Sequence, residues 1–92
     1  MDTAKIHQRA KTNEKNKMKF TLDKAEPGQK LLIDHLPEGD YKLQLIRFGI
    51  SEGEKVECLD RIIGGTIILK KNRLELALGN DLAKKIIVST VN

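Results

Sequence analysis

Apolar residues in this chain come in short runs that end at glycines. Leu31, Leu32, Ile33 and Leu36 make the first run, bounded by Pro27-Gly28 and Pro37-Glu38-Gly39, and predict a strand over Gln29–Leu36. The period then changes. Tyr41, Leu45 and Phe48 recur at i, i+4 and i+7, which puts them on one face of a helix over 41–48. Asp40 is the expected N-cap, and Arg47 lies in the last turn, where a cation suits the helix dipole. Gly49 follows where a left-handed residue is wanted, with Ile50 placed for the apolar contact of a Schellman close. The Tyr41/Leu45/Phe48 stripe is expected to be core rather than a docking surface.

Beyond Ser51-Glu52-Gly53 the period drops to two. Val56 and Cys58 alternate with Lys55, Glu57 and Leu59, which reads as a half-buried strand over 54–60. Gly64-Gly65 separates it from a β-branched strand over Thr66–Lys70, and Lys71-Asn72 suits a tight hairpin turn because Asn tolerates positive φ. Leu74, Leu76 and Leu78 then alternate with Arg73, Glu75 and Ala77. Gly79 ends that strand, Asn80 is the expected N-cap of a helical turn over about 81–85, and Ile86–Ser89 is a closing strand. The pattern predicts a mainly β domain, a small closed barrel of about five strands with one short inserted helix. Gly49, Gly53, Gly64, Gly65 and Gly79 are its structural corners. Gly64-Gly65 lies between two strands, so it reads as a bend or bulge and not as a phosphate loop, which would lead from a strand into a helix.

Charge divides the chain. The formal net charge is +4 over 92 residues, and all of that excess lies in residues 1–19, where Lys5, Arg9, Lys11, Lys15, Lys17 and Lys19 face only Asp2 and Glu14. Residues 1–19 are therefore expected to form a flexible basic tail, and 20–92 a single folded, neutral domain. A neutral body disfavours nucleic acid, whose binding draws on a basic folded surface. The tail is expected to be a solubilising extension, or a weak tether to the anionic cytoplasmic membrane face or to an acidic partner. With no signal-peptide or membrane-span pattern and a single cysteine, Cys58, the chain is expected to be cytoplasmic.

Candidate chemistry is sparse. His7, His35 and Cys58 share no metal-ligand spacing; His35 reads as a surface histidine and Cys58 as a small core residue. They remain the candidates, with nearby carboxylates, for any Fe(II) or other divalent metal site. No serine or cysteine has a base and an orienting group nominated beside it, so neither catalysis nor a cofactor is expected. With Phe20, Tyr41 and Phe48 the only aromatics and no Trp, an aromatic-lined polyproline groove is disfavoured.

Several ordered elements together resemble the FeoA family, small cytoplasmic proteins of bacterial ferrous-iron transport. The early Pro27-Gly28 with Leu32-Ile33 is similar to the family's opening. Gln44-Leu45-Ile46-Arg47-Phe48-Gly49-Ile50-Ser51-Glu52-Gly53 is similar to its helix-ending motif, and Gly64-Gly65 to its mid-chain turn. Ala77-Leu78-Gly79 through Ala83 to Ile86-Ile87-Val88 is similar to its closing signature. Gln44 stands where the family commonly has Arg, and Glu52 where it commonly has Pro, a change expected only to loosen the turn.

The resemblance covers about residues 20–90. It implies an SH3-like barrel and an accessory role beside the FeoB transporter, with docking on its cytoplasmic part and no iron chemistry or GTP hydrolysis in this chain. Lys42, Gln44 and Arg47, on the exposed side of the helix, are the expected docking residues. The same barrel is the C-terminal module of diphtheria-toxin-repressor-like regulators, which makes a metal-responsive regulatory module the alternative. Oligomeric state stays open.

Overall fold

A computed structural model describes residues 18–91. Six strands and three short helical pieces follow one another as β1 (Lys19–Thr21), a 3-10 turn (Leu22–Lys24), β2 (Lys30–His35), α1 (Asp40–Arg47), β3 (Lys55–Ile62), β4 (Thr66–Lys71), β5 (Leu74–Leu78), α2 (Asn80–Ala83) and β6 (Ile87–Thr90). The strands form one antiparallel sheet in the order β1-β6-β2-β3-β4-β5. This is the expected mainly β, SH3-like architecture, with six strands instead of about five. The additional one is β1, whose Lys19 falls in the segment read as tail. Apart from Met18 and Lys19, the basic tail lies outside the described residues.

The alternation read from the sequence is the alternation that folds. Val56 and Cys58 of β3, Ile67 and Leu69 of β4, Leu78 of β5 and Val88 of β6 all point into one core with Leu31 and Ile33 of β2. Each is buried because the strand period sends every second side chain inward. β1 and β5 end the ladder. Between these ends, Leu22 of the 3-10 turn and Ala83 of α2 join the core, and the Leu22 N–H donates to Ile86 O at 2.9 Å. Phe20, Leu76 and Leu82 pack against that core half-buried.

α1 begins one residue earlier than expected. Gly39 is the N-cap and Asp40 the first helical residue, so the Asp40 carboxylate acts on the helix dipole without capping an N–H. Its C-terminus is a Schellman close. The Gly49 N–H donates to Ile46 O (2.9 Å) and the Ile50 N–H to Leu45 O (2.8 Å), with Gly49 at φ +83. Leu45 and Ile50 are both buried, which supplies the apolar contact that accompanies this motif. The β4–β5 turn is the two residues Asn72-Arg73, one position later than the sequence suggested, with Asn72 at φ +56. Asn80 opens α2 but does not cap it. Gly79 holds the N-cap position, and the Asn80 side chain reaches back to Gly65 O at 3.5 Å.

Candidate functional site

The inserted helix departs most from its sequence reading. Of the stripe Tyr41/Leu45/Phe48, only Leu45 enters the core; Tyr41 is 49% and Phe48 46% exposed. Leu43 and Ile46 are also exposed, at 63% and 44%. Four large apolar side chains on an eight-residue helix and its C-cap thus face solvent. The cause is topological: α1 reaches the sheet through Leu45, and no element among the described residues covers its other sides. One signal for this was present in the sequence. Leu43 and Ile46 are off the stripe that contains Leu45, so the helix carries more apolar positions than one face can bury.

Beside α1 runs a groove of about 400 Å³, walled by Tyr41, Gln44, Leu45 and Phe48 on one side and by Leu76, Ala77, Leu78 and Leu82 on the other. Its far wall is a sheet edge. The two-residue loop makes Lys71 and Leu74 the closing hydrogen-bonded pair of the β4–β5 hairpin. The backbone N–H and C=O groups of Glu75 and Ala77 consequently point away from β4, and among the described residues none has a partner there. At one end of the groove the Lys85 ammonium stands 5.8 Å from the Tyr41 ring centroid, a cation–π arrangement. The turn carrying fully exposed Ile63 touches Asn80, whose neighbours Gly79 and Asp81 line the groove. An unpaired strand edge beside exposed apolar side chains is chemically suited to receiving a protein segment.

The residues expected to dock are placed unequally. Gln44 lines the groove and is exposed, and Arg47 is exposed on the same helix. Lys42 is engaged with Glu38 at 3.0 Å, and the Glu38 hydrogen bond and charge hold its ammonium pKa above the usual value. Sequence reasoning missed Tyr41, Leu43, Ile46 and Phe48 as surface residues.

His35 and Cys58, the metal candidates, are not brought into a cluster. Among the described residues no group of three or more His, Cys, Asp or Glu is arranged to hold a metal ion. Cys58 is fully buried, its Sγ–H donating to Asp60 O at 3.6 Å, and burial pushes its thiol pKa up. His35 ends β2 on the surface, with Nδ1 3.5 Å from Glu52 Oε2.

That contact corrects the expectation for Glu52. The side chain does not loosen the turn; it braces it. The Leu36 N–H, beyond the end of β2, donates to Glu52 Oε2 at 3.0 Å, and this hydrogen bond holds the carboxyl below the usual carboxylate range. A carboxyl with a folded pKa below its unfolded value stabilises fully above the unfolded pKa, and the contribution disappears as pH falls through the folded one. Glu52→Gln is therefore expected to melt modestly below the parent at neutral pH and together with it in acid. Thermal unfolding followed at both pH values checks this, and equal melting at neutral pH would remove the brace.

Gly49, Gly53, Gly64 and Gly65 have positive φ, while Gly79 is extended at φ −65.

Comparison with known proteins adds the family. The FeoA domain matches residues 20–90. The crystal structure of an iron uptake regulatory protein (FeoA) is 25% identical, with a TM-score of 0.70 over 80% of this chain and 100% of that one. The solution structure of iron(II) transport protein A from Clostridium thermocellum is 26% identical, with a TM-score of 0.70 over 78% of this chain and 46% of that one. ScaR with bound Zn2+ has the same fold at 20% identity, with a TM-score of 0.67 over 78% of this chain and 37% of that one. No curated protein matches the sequence closely. No helix among the described residues is long and apolar enough to cross a membrane.

Proposed function

The chain belongs to the FeoA family, and from that premise we propose that it is a non-catalytic accessory of ferrous-iron transport, docking in the cytoplasm on the cytoplasmic region of a FeoB-type transporter. On this reading iron chemistry and nucleotide hydrolysis belong to the transporter, and this chain supplies a surface.

The observation that carries the reading is the uncovered apolar face of α1 beside the free edge of β5. A small domain with little core to spare gains nothing in stability by exposing Leu43, Ile46 and Phe48. A partner that covers them gains the transfer free energy of three large side chains. Apolar anchors inside a rim of polar groups are the usual anatomy of an interface. Here Gln44 and Arg47 are the rim, with Lys42 held back by Glu38. The alternative, a metal-responsive regulatory module, rests on the fold shared with ScaR. The FeoA domain match, which spans the sheet from β1 to β6, favours the transport reading.

The test is a binding titration of the full chain against the purified cytoplasmic region of FeoB, with GDP and with a GTP analogue. Phe48→Asp and Ile46→Asp are each expected to weaken binding by about tenfold or more, since buried anchors are worth ~2 kcal/mol or more. Both positions are exposed in the free chain, so the melting temperature should barely move. Absence of parent binding with either nucleotide, or undiminished binding by both variants, would overturn the proposal.

A further inference from the structure

The two edges of the sheet are unlike. β1 is three residues long, carries Lys19 and turns at once into the 3-10 helix, so it offers little length to an added strand. β5 is Leu74-Glu75-Leu76-Ala77-Leu78, and its pairing with β4 is regular throughout. Edges exposed to solvent are normally blunted by proline, lysine or a bulge. β5 has none of these, and α1 leaves a groove along it instead of packing on it. The outward N–H and C=O groups of Glu75 and Ala77 have no partner among the described residues.

Such an edge fits an extended segment with apolar side chains at alternate positions, and β5 is itself that segment. Leu74, Leu76 and Leu78 lie on the face turned to the core, Glu75 and Ala77 on the outer face. Let β5 run antiparallel to β5 of a second copy about a two-fold axis at Leu76. Glu75 then stands opposite Ala77 of the second copy, and Ala77 opposite its Glu75. These are the residues whose backbone groups point outward, so each pair exchanges two hydrogen bonds and the outward groups of both copies are satisfied. On the inner face Leu76 meets Leu76 of the second copy, and Leu74 meets its Leu78. This is the side of the sheet on which Tyr41 and Phe48 wall the groove, half-exposed.

Charge selects that register. A slip of two residues one way puts Glu75 opposite Glu75 of the second copy, and like charges directly opposite repel. A slip the other way puts Glu75 opposite Gly79, beyond the end of the strand. Only the axis at Leu76 pairs both outward residues within the strand and places each carboxylate across from a neutral side chain.

We propose that a second copy of this chain docks on this edge, β5 against β5, to give a two-fold dimer with one continuous sheet. The contact uses the same patch on both copies and therefore closes, whereas β5 against β1 of a further copy would extend as an open chain. Leu43 and Ile46 do not line the groove, so dimerisation leaves them free for the docking proposed above.

The experiment is analytical ultracentrifugation of the full chain from about 1 μM to about 1 mM, the range of moderate to weak association. The parent is expected to pass from monomer to dimer mass and no further. Ala77→Pro removes an N–H that is unpaired in the free chain and bonded in the dimer, and is expected to weaken association about tenfold or more. The Ala77 side chain is exposed in the free chain. Opposite Glu75 of the second copy, Ala77→Glu is expected to weaken association several-fold and Ala77→Lys to strengthen it several-fold, with circular dichroism unchanged in both. Amide hydrogen exchange at Glu75 and Ala77 should slow as concentration rises. Monomer mass throughout, association beyond the dimer, parent-like association of Ala77→Pro, or equal association of the two charged variants would each overturn the proposal. Every one of these outcomes is read on the chain alone, so none of them decides whether it docks on the transporter.

Discussion

Leu31→Ala is expected to leave the chain largely unfolded at physiological temperature. Leu31 is fully buried in β2, which lies between β6 and β3, and it is opposite Thr90 on one side and Val56 on the other. Truncating a buried leucine removes its transfer free energy and leaves a cavity, together about 2–5 kcal/mol. A single core of this size supplies only ~3–5 kcal/mol of net stability, and small domains shift by about 4–8 °C in melting temperature per kcal/mol. The expected fall is therefore about 10–30 °C, measured by thermal unfolding. A shift under about 5 °C would mean that the sheet relaxes into the cavity. Leu43→Ala is the control. The same chemical change at a side chain 63% exposed should stay within about 0.5 kcal/mol of the parent. On the docking proposal its effect appears instead in partner binding.

That pair of leucines shows where sequence reasoning reached and where it stopped. Period two identified β3, β4 and β5 to within a residue or two, because alternation records which side chains a half-buried sheet needs inside. The end of α1 was legible for a similar reason: Gly49 and Ile50 are local requirements of a Schellman close, and local geometry is written in adjacent residues. Periodicity also put Tyr41, Leu45 and Phe48 on one face correctly. It says nothing of what covers that face, and here β5 is the sheet's last strand, with a groove between it and the helix.

Other features escaped because their causes are remote in sequence. β1 has three residues, too few to show a period, and its Phe20 becomes an apolar contact only through pairing with Val88. Glu52 acts through an N–H sixteen residues away, so as a replacement for a turn proline it read as a loss. A charge sum is likewise blind to register, which alone brings Lys30, Glu57 and Lys70 into one row across three strands.

The second large effect is expected at Gly65, and for a reason separable from its neighbour Gly64. Both lie in the turn Ile62–Gly65 between β3 and β4, which the Gly65 N–H closes by donating to Ile62 O at 2.9 Å. Both have positive φ, +97 and +91, so alanine at either carries backbone strain of order 1–3 kcal/mol. Only at Gly65 does the new methyl also meet the fold. A Cβ there would stand 2.2 Å from Asn80 Nδ2 and 2.9 Å from Asn80 Cβ, whereas at Gly64 nothing lies within 4 Å. The Asn80 amide can swing aside, but its Cβ is fixed by the start of α2. Relief therefore requires that helix to move from β4, disturbing buried Ala83 and Leu78. Gly64→Ala is expected to cost about 1–2 kcal/mol, and Gly65→Ala about 1–2 kcal/mol more. Asn80→Gly in the Gly65→Ala background should recover the excess, leaving the strain common to both glycines plus the small cost of glycine in α2. A double-mutant cycle by chemical denaturation measures that coupling. If the two changes prove additive, the contact between the hairpin turn and α2 does not constrain Gly65, and its requirement for glycine is conformational alone.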